Sequence, residues 1–329
     1  MAMIRQSSDM KCRACYITLK HATNLGSFAI VNHLQVDEGD SAQDFPLDIG
    51  ICVGCSLVQL VNPINPAVFY TEYPTPSTWK PEPHLGLLVD FLRRLDPQSA
   101  YQVLDVGCND GKFLSELRSV GFERLAGVEP SGNTAAEASN KGFTVFNEYF
   151  DLDSATSILE VEGKFDVLVS RQVLEHVHDL NLWMRAARIL LKGEGMLVLE
   201  VPDFSAMVHL RDYALWEEHV NYFTLDSLRV LLERNGFEIV EWWTSEFAGV
   251  CLTVICHPRS NGGEMQNRPE QGPDSAPINS FLEWLDLRSQ VARLVRDEIL
   301  STPRGRGLLI GVGARSSMAV NLLGLADLI

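Results

Sequence analysis

The chain has 329 residues and a formal net charge of −16, from 27 Lys and Arg against 43 Asp and Glu. Its length predicts two or three compact units, and its acidic balance without a dense Lys/Arg cluster argues against nucleic acid as a partner. No apolar run approaches the roughly 20 residues of a membrane-spanning helix and no secretory signal is visible, so a cytoplasmic protein is expected.

Two Cys-x-x-Cys pairs open the chain, Cys12 with Cys15 and Cys52 with Cys55. Each pair places two thiols across a tight turn, and two pairs complete the tetrahedral four-thiolate shell of a structural zinc ion. Gly54 is expected to relax the second turn. The alternatives are a redox-active pair, which needs a βαβ surrounding that the sequence does not show, or four unrelated core cysteines.

Short strands are predicted over 49–51 and 57–61, around the second cysteine pair, and a proline-rich connector follows over 62–83. Its six prolines prevent regular helix. The connector also carries Phe69, Tyr70, Tyr73 and Trp79. These aromatic residues either pack against the core or form a lid over an active site.

From His84 onward, strand-like and helix-like runs alternate, which predicts a parallel sheet covered on both faces, a Rossmann-like α/β fold. A helix starts the region, and residues 238–243 and 250–256 are predicted to close the sheet as an antiparallel hairpin. The strands are predicted over 102–106, 124–129, 144–147, 166–170 and 195–201, and the further helices over 111–120, 134–141, 180–191 and 225–235.

The first of these strands runs through Asp105 into the turn Gly107-Cys108-Asn109-Asp110-Gly111. Glycine lets a ligand approach the backbone closely at such a turn. The dinucleotide fingerprint G-x-G-x-x-G is absent, and the Gly-x-x-x-Gly spacing beside Asp105 favours S-adenosylmethionine, whose ammonium and sulfonium groups a carboxylate can pair with.

Four further residues are candidates for cofactor contacts. Glu129, followed by Pro130, ends the next strand about 20 residues beyond the turn, where an acid meets ribose hydroxyls. Glu148 follows the third strand, where adenine contacts are expected, and Gln172 follows the fourth. The alternative for such positions is a solvated polar residue at a strand end.

Taken together, these motifs resemble the class I methyltransferases. More narrowly, their order along nearly the whole chain is similar to that of the sugar C-methyltransferases that act on nucleotide-linked 4-keto hexoses. The resemblance rests on the cysteine pairs, Glu72-Tyr73-Pro74, the glycine turn, Leu174-Glu175-His176-Val177, Glu200-Val201-Pro202, Glu218-His219-Val220-Asn221-Tyr222-Phe223 and Gly311-Val312-Gly313-Ala314-Arg315.

The resemblance implies a catalytic set of His219, Glu218, His176 and Tyr73. C-methylation beside a ketone requires removal of an α-proton, and His219 suits the role of base with Glu218 orienting it. His176 would polarise the carbonyl or bind the enolate oxygen. The alternative for His219 is an interior histidine beside Tyr222 and Phe223.

Two positions depart from the family pattern. Trp216 and Thr75 stand where the family has tyrosines, and an indole neither accepts a hydrogen bond nor ionises. Tyr70, Tyr73 or Tyr213 are the candidates to replace those phenols. An O- or N-methyltransferase of another small metabolite, or a zinc-bearing nucleic-acid methyltransferase, therefore stays as an alternative.

The sequence divides into a zinc-binding segment with its connector (1–83), a methyltransferase domain (84–257), a linker (258–277) and a short C-terminal α/β segment (278–329). A helix over 281–295 and a strand over 308–310 entering the turn Gly311–Gly313 are predicted there; in the family this turn holds the phosphates of the sugar nucleotide, where Arg315 would assist. The segment is shorter than in the family: either the chain is truncated, or a partner, as in a homo-oligomer, covers its edge.

Overall fold

The computed structural model describes residues 10–19, 21–30, 44–68, 82–212, 214–259, 276–302, 314–325 and 328. The strands are β1 His21–Ala29, β2 Asp44–Ile51, β3 Val58–Leu60, β4 Val103–Val106, β5 Leu125–Val128, β6 Thr144–Phe146, β7 Phe165–Arg171, β8 Leu191–Pro202, β9 Asn221–Tyr222, β10 Phe237–Glu246 and β11 Val250–Pro258. The helices are α1 Leu85–Leu95, α2 Lys112–Ser119, α3 Gly132–Asn140, α4 Leu152–Glu162, α5 Leu180–Leu190, α6 Phe204–His209, α7 Leu225–Arg234, α8 Ala276–Ser301 and α9 Ala314–Leu323.

The larger sheet has seven strands in the order β10-β11-β8-β7-β4-β5-β6. The strands from β8 to β6 are parallel, and β11 and β10 add an antiparallel edge. The chain runs from β4 outward to β6 and then returns to β7 on the other side of β4. Such a reversal opens a crevice at the carboxyl ends of the strands, where ligands of α/β sheets bind.

The predicted Rossmann-like α/β sheet is confirmed. Each strand predicted between 102 and 201 is present, because apolar runs that are buried on both faces mark central parallel strands. The closing hairpin of β10 and β11 is also present. Of the described helices, α4, α6 and α9 were not predicted, although Asp151 and Ser154 form a reciprocal capping box at the start of α4.

The smaller sheet has four antiparallel strands in the order β1-β2-β3-β9. Its last strand comes from far along the chain, and Val58 pairs with Tyr222 there. The apolar side chains of this sheet share one core with α6, α8 and α9, including Phe204, Phe281 and Met318. Helix α8 contains the predicted helix 281–295, and it begins at Ala276, inside the predicted linker.

The proposed division into 1–83, 84–257, 258–277 and 278–329 stays a prediction, and the predicted strand 308–310 with Gly311 and Gly313 lies outside the described residues. Among the described helices, none combines the length and the apolar composition that crossing a membrane requires.

Candidate active site

The glycine turn between β4 and α2 forms the floor of the crevice. Gly107 and Gly111 have φ of 78° and 75°, and Asn109 between them has φ of 48°, all in the left-handed region that glycine tolerates best. A Cβ atom on Gly107 would lie 2.3 Å from Cγ2 of Val173. Gly107 therefore serves both the backbone conformation and the close approach of the loop that follows β7.

A cavity of about 380 Å³ opens above this turn. Six residues expected from the sequence to contact the cofactor or substrate line it, namely Gly107, Asn109, Glu129, Pro130, Gln172 and His176. Among the described residues, Asp105, Gly111, Glu148, Glu218 and His219 are not in its wall, and Tyr73 lies outside the described residues. The structure thus brings the cofactor candidates of three strand ends to one wall.

Glu129 is fixed by the turn it faces. Its carboxylate accepts hydrogen bonds from the backbone N–H groups of Asn109 at 3.0 Å and Ser131 at 2.8 Å. Burial raises the pKa of Glu129, and hydrogen bonds from the Ser131 and Asn109 backbones and from the Thr134 side chain oppose the rise. A carboxylate has about four lone-pair sites, so the side chain can still accept a ribose hydroxyl from the cavity.

Asp105 lies beneath the wall rather than in it, with 2% of its surface exposed. Burial raises its pKa to about 7, with the positive charge of Arg171 opposing the rise and the negative charge of Glu129 adding to it. A direct contact of Asp105 with the cofactor therefore stays a prediction, and the observed position places the carboxyl within the electrostatic reach of Arg171, Glu129 and Glu82.

A cluster of charged side chains in the cavity wall was not predicted from the sequence. Glu82 pairs with Lys112 at 2.9 Å and with Arg171 at 3.3 Å, and all three line the cavity. The guanidinium of Arg171 also stands 4.8 Å from the ring centre of Phe113. Two cations beside a glycine turn can hold an anionic ligand group. The sequence could have indicated this cluster, because one basic residue directly follows Gly111 and another directly precedes Gln172.

Aromatic side chains complete the wall on the far side. Tyr149, Phe150 and Trp183 line the cavity, and the rings of Phe150 and Trp183 meet edge to face with centres 5.2 Å apart. Phe150 and Tyr149 follow the predicted contact Glu148, which is partly buried but outside the wall. This apolar side suits a flat ring such as adenine.

Two histidines meet at the other end of the cavity. His176 ends the 3₁₀ turn Leu174–His176, and the His219 ring stands edge-on to it with centres 4.8 Å apart. The indole of Trp216 packs on His219 from another side, with centres 4.4 Å apart. The phenol of Tyr222 donates to the backbone C=O of Trp216 at 3.0 Å and so closes this loop.

The hydrogen bonds of His176 define what its ring can do. Its Nδ1 lies 2.9 Å from the backbone oxygen of Glu218, which only accepts, so Nδ1 carries the proton. Burial lowers the pKa of His176, with the carboxylate of Glu218 opposing the shift. A neutral ring in this tautomer presents a lone pair at Nε2, and it donates to an enolate oxygen only after it is protonated.

The four cysteines of the two pairs are buried together. Cys12 Sγ lies 3.5 Å from Cys55 Sγ, and Cys15 Sγ lies 3.4 Å from Cys52 Sγ. A tetrahedral zinc with bonds of about 2.3 Å separates its sulfurs by about 3.8 Å, so the donor set and spacing fit zinc. All four ligating atoms lie within 4.8 Å of one another.

The turns at the two cysteine pairs match each other. The left-handed residue of each turn follows the second cysteine, at Tyr16 with φ of 62° and Ser56 with φ of 63°. Gly54 was expected to supply that freedom, but its φ is not in the left-handed region. Instead, a Cβ on Gly54 would lie 2.2 Å from Cδ1 of Ile17.

Arg13, between the first two cysteines, connects this cluster to the histidines. Its guanidinium donates to the backbone oxygens of Leu60 at 2.8 Å and Val220 at 3.1 Å. Val220 follows His219 directly, and its N–H donates at 2.8 Å to the backbone oxygen of Glu175. The backbone that carries both histidines is therefore held from the cysteine cluster.

Comparison with known proteins agrees with this arrangement. Residues 83–242 match the family model described as a methyltransferase domain. The C-methyltransferase NovU of Streptomyces niveus is 27% identical over 319 residues, which cover 92% of this chain and 75% of NovU. The ubiquinone biosynthesis O-methyltransferase of Azorhizobium caulinodans is 25% identical over 178 residues, covering 50% of this chain and 67% of that protein.

Among solved structures, the magnesium protoporphyrin IX methyltransferase from Synechocystis PCC 6803 with bound SAM is 18% identical. The match covers 54% of this chain and 78% of that chain, with a TM-score of 0.41. The sheet order, the glycine turn and the matched methyltransferase domain define the class: the protein is an S-adenosylmethionine-dependent methyltransferase. Its likeness to a C-methyltransferase extends well beyond that domain, whereas its likeness to the O-methyltransferase stays near half of the chain.

Proposed function

We propose that the protein transfers a methyl group to a carbon atom of a nucleotide-linked keto sugar. The observation that carries the proposal is the pair of imidazoles, His176 in the cavity wall and His219 edge-on behind it. C-methylation beside a carbonyl needs a base for a C–H proton, and a histidine suits that task near neutral pH. The similarity to NovU over most of the chain supports the same chemistry.

The wall of the cavity offers a complementary group for each part of S-adenosylmethionine. Glu129 accepts from the ribose hydroxyls, with the turn of Gly107, Asn109 and Gly111 beneath and Pro130 and Gln172 at its sides. The aromatic wall at Tyr149 takes the adenine, with Glu148 near its edge. Arg171 and Lys112 neutralise the methionine carboxylate, and Asp105 supports the ammonium end from beneath the wall.

S-adenosylmethionine supplies an electrophilic methyl group on its sulfonium. His219 takes the α-proton of the sugar and becomes an imidazolium, and the electron pair of the C–H bond forms the enolate. Glu218, with 5% of its surface exposed, stabilises the imidazolium. Methyl transfer would form the new C–C bond and break the S–CH₃ bond, with S-adenosylhomocysteine as the leaving group, while the phenol of Tyr73 or the protonated ring of His176 holds the enolate oxygen.

The four cysteines hold one structural zinc ion in this proposal. Cys12, Cys15, Cys52 and Cys55 fill a tetrahedral shell, which leaves no position for substrate or water. The zinc ion fixes the conformation of the two cysteine turns, and the hydrogen bond from Arg13 to the backbone oxygen of Val220 connects these turns to the histidine loop. Metal analysis of the purified protein is expected to give at least one zinc per chain, and a variant Cys15→Ser should lose it.

The test of the reaction uses exchange and methyl transfer together. Incubated with 4-keto nucleotide sugars in deuterated water, the protein should exchange the α-hydrogen, and with S-adenosylmethionine it should add the mass of one methyl group. His219→Ala should abolish exchange, while Asn24→Ala, at an exposed site in β1, should leave it unchanged. Unaltered exchange in His219→Ala would remove that residue from the role of base.

A second candidate is O-methylation of a small metabolite. The observation that favours it is the O-methyltransferase of Azorhizobium caulinodans, whose similarity covers half of the chain. Trp216 agrees with it, because an indole stands on His219 where the sugar C-methyltransferases have a phenol. Methyl transfer to a hydroxyl proceeds without α-hydrogen exchange, so the same experiment separates the two candidates.

A further inference from the structure

Three side chains with metal-ligating atoms meet at the cavity wall, in a group separate from the cysteine cluster. They are the carboxylate of Glu175 and the imidazoles of His176 and His219, whose ligating atoms lie within 4.8 Å of one another. The backbone around them is tied together, since Val220 N–H donates to the Glu175 backbone oxygen. Carboxylate and imidazole ligands without a thiolate are a donor set for first-row divalent cations.

Within the described part of the chain, no Lys or Arg side chain pairs with the carboxylate of Glu175. Only 1% of its surface is exposed, and neither carboxylate oxygen accepts a hydrogen bond from any described part of the chain. A buried carboxylate in that state is costly unless a cation or a proton neutralises it. Its nearest nitrogen in a basic side chain is His176 Nε2, at 3.9 Å from Oε1.

His176 is presented in the way that metal-bound histidines are. Its Nδ1–H donates to the backbone oxygen of Glu218 at 2.9 Å, which fixes the ring and leaves the Nε2 lone pair on the side of Glu175. A histidine ligand in proteins usually donates its other ring N–H to a carbonyl or carboxylate in this manner. The unpartnered carboxylate and the oriented imidazole are two separate observations that point to one ion.

The dimensions allow coordination after a small adjustment. Ligands at about 2.0–2.1 Å from a tetrahedral zinc are separated by roughly 3.4 Å. The donor atoms, now within 4.8 Å of one another, must therefore close by up to about 1.4 Å through rotation of side chains. Because His176 also lines the cavity, a fourth coordination position would open toward it.

We propose that Glu175, His176 and His219 form a second metal site, which binds a first-row divalent cation such as Zn²⁺. Binding uses the lone pair of His219, so occupation of this site and removal of a proton by His219 exclude each other. Zinc in excess of the structural ion is then an inhibitor. The inhibition, though not the binding, rests on the proposed function.

The binding test is a calorimetric titration of ZnCl₂ into purified protein whose zinc content is first measured. The expected result is one equivalent beyond the four-cysteine zinc. Glu175→Gln and His176→Asn should each weaken it more than tenfold. His178→Asn is the matched control, a half-buried histidine of the same cavity wall outside the cluster, and should bind as the wild type does.

Absence of a second equivalent, or unchanged affinity in a folded Glu175→Gln or His176→Asn, would overturn the site. Circular dichroism identifies which variants are folded, and either one suffices. For inhibition, α-hydrogen exchange should fall as the second equivalent fills and return on dialysis into zinc-free buffer; exchange at full rate with the site filled would refute the exclusion. If no keto sugar exchanges even without added zinc, the proposed function fails while the titration still decides the site.

Discussion

Replacing Gly107 by alanine is the sharpest test of the cofactor site. The substitution places a Cβ at φ of 78° and 2.3 Å from Cγ2 of Val173. Both residues line the cavity, so the overlap must be relieved by moving its wall. We therefore expect a loss of S-adenosylmethionine affinity together with a loss of stability.

Gly142→Ala provides the matched control. Gly142 has φ of 83°, and nothing lies within 4 Å of the Cβ that alanine would add. The left-handed conformation costs both variants about 1–2 kcal/mol. The stiffer unfolded chain is common to both and cancels in the comparison.

Gly107→Ala alone also introduces a steric overlap with the side chain of Val173, and overlaps in packed cores destabilise by about 1–3 kcal/mol. We expect the free energy of unfolding to fall by about 1–2 kcal/mol in Gly142→Ala and by about 2–5 kcal/mol in Gly107→Ala. A shift of the wall that forfeits about 1.4–2.8 kcal/mol of cofactor binding weakens the affinity about 10- to 100-fold.

Urea denaturation measures the stabilities, and calorimetry measures the dissociation constant of S-adenosylmethionine for the three proteins. Gly142→Ala should keep the wild-type constant within about twofold. Equal cofactor affinity in Gly107→Ala and Gly142→Ala would show that the turn does not lie beneath the cofactor.

Three further predictions concern charged residues. Arg13→Ala removes two hydrogen bonds from a charged donor and should lower the free energy of unfolding by about 2–4 kcal/mol, part of which Arg13→Lys should restore. Calorimetry should show an unchanged affinity of Arg13→Ala for S-adenosylmethionine, whereas α-hydrogen exchange should slow at least tenfold. Exchange at the wild-type rate would exclude a positioning role for Arg13. Glu129→Gln should weaken S-adenosylmethionine at least tenfold, and equal affinity by calorimetry would remove the ribose contact. The carboxyl of Asp105 has a pKa of about 7 in the folded protein against 3.8 in the unfolded chain, so the folded state binds this proton more tightly. As the pH rises from 3.8 to 7, the free energy of unfolding therefore falls, by a total on the order of 4 kcal/mol. Unfolding measured from pH 4 to 8 should therefore show Asp105→Asn gaining on the wild type as the pH rises, and parallel curves would contradict the assignment.

Local patterns were sufficient for the methyltransferase sheet. Each central strand is an apolar run, and the glycine turn follows directly from one of them, so neighbouring residues carry the whole signal. The four cysteines were also predictable as a group, because each pair is local and a tetrahedral site needs two pairs. The turn conformation was not, since Tyr16 and Ser56 rather than Gly54 adopt the left-handed backbone.

Contacts between distant segments could not be predicted. Glu82 joins Arg171, and Arg13 donates to Val220, across long stretches of chain that no periodicity relates. The roles expected for Tyr73 and for the C-terminal glycine turn stay predictions, because both lie outside the described residues.

The sequence by itself determined the class of enzyme, because the strand, the glycine turn and the acid at the end of the next strand follow one another closely along the chain. Tertiary structure alone decided which polar side chains face the cavity. Asp105 is buried and lies outside the cavity lining, and the buried carboxylate of Glu175, which accepts no hydrogen bond from the described part of the chain, lies beside two imidazoles. The physical reason is that burial and pairing depend on packing between segments, and these set the charge and hydrogen-bonding state of each group.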